Sequence, residues 1–190
     1  RKVDIRDVIL PTGVENIDLL PANIDLSAAE VQLVNEVARE QVLASALRKV
    51  RDEYDVILID CPPFLGTLSS MGWAVSERIL SVAEPSLFSV AGTERTLRAI
   101  VRFQQESGIS IDGAGVVINK MRPNDSEHRY RRDEMRSLFG ELVAEPVLAE
   151  SPVLQRAQGA AYPIHFWPDE ESVDPAIDFT RLLAGLMADL

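Results

Sequence analysis

The chain has 190 residues, 46% of them hydrophobic and 26% charged, which suffices for a buried core and excludes disorder as its main state. Its 19 basic and 30 acidic residues leave a net charge of −11, excluding a globally basic nucleic-acid binder but not a local basic face. The single cysteine cannot form an internal disulfide, two histidines argue against zinc, and no apolar run nears the roughly 20 residues of a membrane span, so the expectation is a soluble, cytoplasmic protein without a leader in RKVDIRDVIL.

Short β-branched runs alternate with segments of helical period. The runs Asn16–Leu20, Asp55–Asp60, Arg78–Ala83, Gly113–Asn119 and Leu142–Leu148 read as strands. Helical spacing covers Ala28–Val50, Leu65–Val75, Thr93–Glu106, Ser126–Phe139 and a terminal stretch near Pro175–Leu190. This alternation predicts an α/β fold, a mostly parallel sheet with helices on both faces, in one domain spanning 1–190. Ser27 and Glu30 read as a capping box, with Val31, Val34, Ala38, Val42 and Leu43 forming the buried face of the helix that follows. Val56-Ile57-Leu58-Ile59 is continuously apolar, as a strand buried on both faces should be.

That strand delivers a carboxylate, Asp60, at its carboxyl end, where parallel sheets place their ligands. Pro62 and Pro63 then force an extended exit. An aspartate so placed can hold the water shell of Mg²⁺, the Walker B role; its plainer alternative is to cap the next turn.

The whole string Asp60-Cys61-Pro62-Pro63 followed by Leu65-Gly66 resembles the Walker B and switch II segment of the ParA/Soj group of deviant Walker A ATPases, relatives of MinD. Asn16 to Leu26 resembles the family's strand-to-helix segment after switch I, Glu84-Pro85 through Gly92 its next strand exit, and Val117-Ile118-Asn119-Lys120 the strand leading to its adenine pocket. The resemblance implies a P-loop NTPase-like fold of the SIMIBI class, ATP and Mg²⁺ as cofactors, and a nucleotide-dependent homodimer with slow ATP hydrolysis. It further implies non-specific DNA binding and a ParB-like partner that stimulates hydrolysis, so that plasmids, chromosomes or other cargo are positioned.

The family's phosphate loop, a KGGxGKT-like sequence whose backbone N–H groups and lysine cradle phosphates, is absent. Gly13 and Gly108 stand alone without a lysine at the required spacing. Without the phosphate-loop strand the run at 55–60 would be a raw sheet edge. The expectation is therefore that these residues are the C-terminal two-thirds of an ATPase domain whose first strands lie upstream.

Within the resemblance, Asn119 reads the adenine edge, Arg122 lies on the base or reaches a phosphate, and Glu150 and Ser151 belong to the segment walling the adenine. The family's usual proline and glycine are replaced there by Ala149 and Ala161. Asn119 also reads as a plain strand-end residue before Pro123. Arg129, Arg131, Arg132 and Arg136, with Arg95, Arg98 and Arg102 on one helix face, form either the family's DNA patch or a solvated face neutralised by Glu94, Asp133 and Glu134. Cys61 reads as a small apolar filler rather than a redox group, and His128 and His165 receive no role. The terminal helix has an acidic polar face, which argues against a membrane anchor.

Two rival readings follow. One is a non-catalytic adaptor on the same scaffold. The other is a related ATPase that positions a secretion or pilus complex.

Overall fold

The computed structural model describes residues 3–33, 40–63 and 65–188. The chain divides into two compact units, Arg1–Glu77 with Phe103–Ile111, and Arg78–Arg102 with Asp112–Leu190.

In the first unit a two-residue strand β1 (Leu10–Pro11) pairs antiparallel with β2 (Asp18–Leu19), inside the predicted run 16–20. Three helices follow: α1 (Asp25–Leu33), α2 (Glu40–Leu47) and α3 (Thr67–Trp73). The predicted capping box is displaced. The helix starts before Ser27, at Asp25, whose N–H donates to Asn23 Oδ1 at 2.9 Å, so Asn23 does the capping. Glu30 accepts from Leu68 N at 3.2 Å, at the start of α3, where a negative charge meets the positive end of the helix dipole. Of the predicted apolar face, Val31 and Val42 are exposed, Leu43 is half-buried, and Val34 and Ala38 lie outside the described residues. Val50, Met71 and Trp73 are buried instead, Trp73 meeting Phe103 edge-on at 5.8 Å.

The run at 55–60 forms no ladder, a third correction. Val56, Ile57 and Leu58 are exposed, and among the described residues no strand pairs with them. A continuously apolar segment left unpaired violates the usual protection of strand edges.

The second unit holds the parallel pair β3 (Arg78–Ala83) and β4 (Gly113–Ile118), in register from Arg78↔Gly113 to Ala83↔Ile118. Helix α4 (Leu87–Ser107) starts six residues before the predicted segment, and its residues to Arg102 belong to this unit. Helix α5 (Ser126–Phe139) has the predicted bounds. Asp125 caps it through Oδ1, and Gly140 ends it at φ 54°, a left-handed conformation that glycine adopts without steric cost. Helices α6 (Pro152–Gly159) and α7 (Val173–Met187) complete the unit.

Both faces of β4 are covered. Val116 and Ile118 pack with Ala83, Val90, Met135, Phe139 and Val143 on one side. Val117 packs with Leu148, Leu182, Phe179 and Leu186 on the other. Complete burial of each such aliphatic side chain stabilises by about 1.5–3 kcal/mol. Helix α7 thus packs on the sheet.

The run at 142–148 accompanies β4 without forming a regular strand. Ala144 N donates to Val116 O at 2.8 Å and Leu148 N to Ile118 O at 2.9 Å, so four residues on one side match two on the other. Pro146 stands in the mismatch and has no N–H to give a ladder.

Candidate nucleotide site

The carboxyl ends of β3 and β4 carry the candidate residues of the second unit. Asn119 N donates to Ala83 O at 2.8 Å, which ties the two strand ends together. Asn119 Oδ1 accepts from Lys120 N at 2.9 Å, and among the described residues its Nδ2 has no partner. Lys120 then turns the chain at φ 54°, a conformation L-residues rarely adopt and one that concentrates at functional sites. Its ammonium donates to Glu84 Oε1 at 2.6 Å, and that bond pushes the lysine above its ordinary pKa.

The next segment closes on 148–151. Met121 N donates to Leu148 O and Glu150 N to Met121 O, both at 2.9 Å. This exchange sets Arg122 beside Glu150, with Arg122 Nε 3.6 Å from Glu150 Oε2. Arg122 Nη2 is also 3.5 Å from Asp125 Oδ2 and 2.6 Å from His128 Nε2, while Arg122 N donates to His128 Nδ1 at 3.1 Å. Ser151 is the N-cap of α6, followed by Pro152 in the first helical turn. The structure therefore gathers Asn119, Arg122, Glu150 and Ser151, four residues chosen from the sequence, and adds Lys120, Glu84, Asp125 and His128, which were not. Lys120 meets Glu84 only because the ends of β3 and β4 lie together, and His128 meets Arg122 only through the fold of the intervening segment; Asp125 is also the local cap of α5. His165, also without a predicted role, contacts Thr180 at 3.1 Å.

Asp60, Cys61, Pro62 and Pro63 belong to the first unit. Asp60 is exposed and makes no ion pair or hydrogen bond among the described residues. A single free carboxylate suits Mg²⁺, which keeps several waters and takes one or two carboxylates with phosphate oxygens. No cluster of three or more His, Cys, Asp or Glu is present among the described residues. The phosphate side has no counterpart in the sequence. Cys61 is half-buried, and burial, followed by the Asp60 charge, pushes its thiol up. A thiol kept protonated is a poor nucleophile, which argues against a redox role.

The candidate arginines differ sharply in their surroundings. Arg98 pairs with Glu94 at 2.5 Å, Arg131 with Glu127 at 2.7 Å and Glu134 at 2.9 Å, Arg132 with Asp133 at 2.8 Å, and Arg136 with Glu145. Arg129 donates to Pro123 O at 2.9 Å. Arg95 and Arg102, both exposed on α4, have no partner among the described residues. No helix among the described residues is long and apolar enough to cross a membrane.

Residues 1–112 match the AAA domain family model AAA_31. The uncharacterized protein Rv1708 of Mycobacterium tuberculosis (strain ATCC 25618 / H37Rv) is 37% identical over 166 residues, 87% of this chain and 52% of that protein. The chromosome-partitioning ATPase Soj of Treponema pallidum (strain Nichols) is 32% identical over 165 residues, 86% of this chain and 64% of that one. Among solved structures, cobyrinic acid a,c-diamide synthase of Mycobacterium smegmatis with bound ADP and magnesium superposes with a TM-score of 0.69 at 26% identity, covering 84% of this chain and 69% of that one. The chain spans about half the length of the first of these relatives.

Proposed function

The chain belongs to the AAA_31 family and to the ParA/MinD-like P-loop ATPases, and on that premise we propose that it is the nucleotide-reading part of a partition-type ATPase. The observation that supports this most is the convergence of Asn119, Arg122, Glu150 and Ser151 at the carboxyl ends of a parallel strand pair, where α/β sheets bind nucleotides.

In this reading Asn119 meets the edge of adenine, since its amide donates and accepts at once. Arg122 lies on the base or reaches a phosphate, and Glu150 with Ser151 walls the base. Asp60 holds the water shell of Mg²⁺, and the Pro62-Pro63 exit carries the following loop away in an extended path. Bound Mg²⁺ supplies neutralisation of the phosphate charge. No phosphate loop is found in residues 1–190, which we read as the C-terminal two-thirds of one ATPase domain. The exposed apolar run Val56–Leu58 supports this, because a further strand would give it the ladder it lacks.

The wider role proposed is that of the family: weak, partner-stimulated ATP hydrolysis, a nucleotide-dependent homodimer, a ParB-type partner and cytoplasmic positioning of a plasmid, chromosome or other cargo. Arg95 and Arg102 are the arginines best placed for non-specific DNA, since the others are already paired. The test is hydrolysis by the protein expressed from its complete gene. Asp60→Asn is expected to abolish Mg²⁺-dependent turnover without changing the unfolding midpoint. Unchanged turnover refutes the role of Asp60, and absence of ATP binding in the unaltered protein favours the adaptor reading.

A further inference from the structure

His128 sits on the third residue of α5, its side chain 13% exposed, and its place is fixed by the helix cap, since its own N–H donates to Asp125 Oδ1 at 3.3 Å. Both of its ring nitrogens face donors of a single residue. Nδ1 is 3.1 Å from the backbone N–H of Arg122, and Nε2 is 2.6 Å from the Arg122 guanidinium. A neutral imidazole carries one lone pair for hydrogen bonding and one N–H, so it can satisfy only one of these donors.

The surroundings decide which. The guanidinium has two carboxylates close by, Asp125 Oδ2 at 3.5 Å and Glu150 Oε2 at 3.6 Å. The Arg122 backbone N–H has no other acceptor among the described residues, and an unmade backbone bond is costly. Asp125 Oδ2 also stands 3.9 Å from Nε2, where a carboxylate favours an N–H over a lone pair. Nδ1 therefore accepts the backbone bond and Nε2 carries the proton. The ring then turns an N–H toward the guanidinium, which gains nothing by staying there.

We propose that His128 is a positioning residue for Arg122: it anchors the Arg122 backbone and denies the guanidinium the imidazole ring as an acceptor, keeping that side chain toward Glu150 and available to a bound nucleotide. The nucleotide as ligand rests on the function proposed above; the Arg122–His128 arrangement does not. Arg122 and Glu150 are well exposed, and pairs of this kind contribute little, so a ligand can displace the carboxylate.

Two substitutions separate positioning from simple packing. Asparagine places its amide oxygen near Nδ1 and offers nothing at Nε2. Glutamine places its oxygen near Nε2, an acceptor that captures the guanidinium. In protein expressed from the complete gene, His128→Asn is expected to bind Mg-ATP within about twofold of the unaltered protein, and His128→Gln about tenfold more weakly. In an Arg122→Ala background the glutamine is expected to cost nothing further. Equal losses from both substitutions, or a loss from glutamine that persists without Arg122, overturns the proposal. Nitrogen-15 spectra of the histidine ring at pH 8 read the arrangement without any nucleotide. The Nε2-protonated tautomer is expected, and the Nδ1-protonated one overturns the proposal whatever the protein binds. Absence of Mg-ATP binding together with the expected tautomer defeats the nucleotide function and the ligand named here, and leaves the anchoring of Arg122.

Discussion

Gly72 on α3 packs so closely on Cys61 that a Cβ added there would lie 2.9 Å from Cys61 Sγ and 3.5 Å from Ile59 Cγ2. The glycine thus bears on the residues flanking Asp60. Its backbone is ordinary helix, so the constraint is one of space. Gly72→Ala is expected to lose about 1–3 kcal/mol from overpacking, offset by up to about 1 kcal/mol of helix propensity. Adding Cys61→Ala should recover most of the loss by making room for the methyl group. Urea unfolding midpoints of the two single variants and the double variant measure this coupling.

Asn119 offers both an acceptor and a donor at the end of β4. Asn119→Ala is expected to weaken Mg-ATP binding about tenfold and to narrow the preference for ATP over GTP, because the edge that distinguishes the bases is no longer read. Competition between the two nucleotides for the protein checks it. An undiminished preference would move base recognition elsewhere.

The surface arginines should not be equivalent. Arg95→Ala and Arg102→Ala are each expected to weaken DNA binding and to lower its salt slope by about 1. Arg131→Ala and Arg132→Ala should change both little, since their guanidinium groups are held by Glu127, Glu134 and Asp133. Binding isotherms at several salt concentrations distinguish the two groups.

Asp125 gives the second unit a dependence on acid. Its carboxylate accepts from the N–H groups of His128 and Glu127, and these bonds, with the nearby Arg122 charge, hold its pKa below the ordinary 3.8 despite some opposing desolvation. A depressed carboxyl stabilises the fold above its unfolded pKa, and the contribution is lost as pH falls through the lower, folded value. Asp125→Ala is expected to lower the unfolding temperature by a few degrees at pH 7, and the gap between variant and parent should close below about pH 4. Thermal melts at pH 7, 5 and 3 measure it.

Strand β3 and helix α5 were legible to the residue because each has a local signal: a short apolar run with Ile79, Leu80 and Val82 in the first, an Asp125 cap and Gly140 stop in the second. Helix α6 was missed. Pro152 in its first turn is a start signal for a helix that went unused. The capping box failed because Asn23 competes for the same role and wins by lying before Asp25. The run at 55–60 has the composition of a buried strand, but composition cannot say which neighbour supplies the ladder. Of the candidate site, Asn119, Arg122, Glu150 and Ser151 are named from family resemblance, while the place of His128 and the Lys120–Glu84 pair depends on how the ends of β3 and β4 and the segment after them fold. Nothing in their spacing announces that.

The most direct test of the nucleotide reading is calorimetric titration of Mg-ATP into the protein expressed from its complete gene, with its intact mass measured on the same sample. Micromolar binding that Arg122→Ala weakens about tenfold is the predicted result. Absence of binding, or binding indifferent to both Arg122 and Asn119, would contradict it.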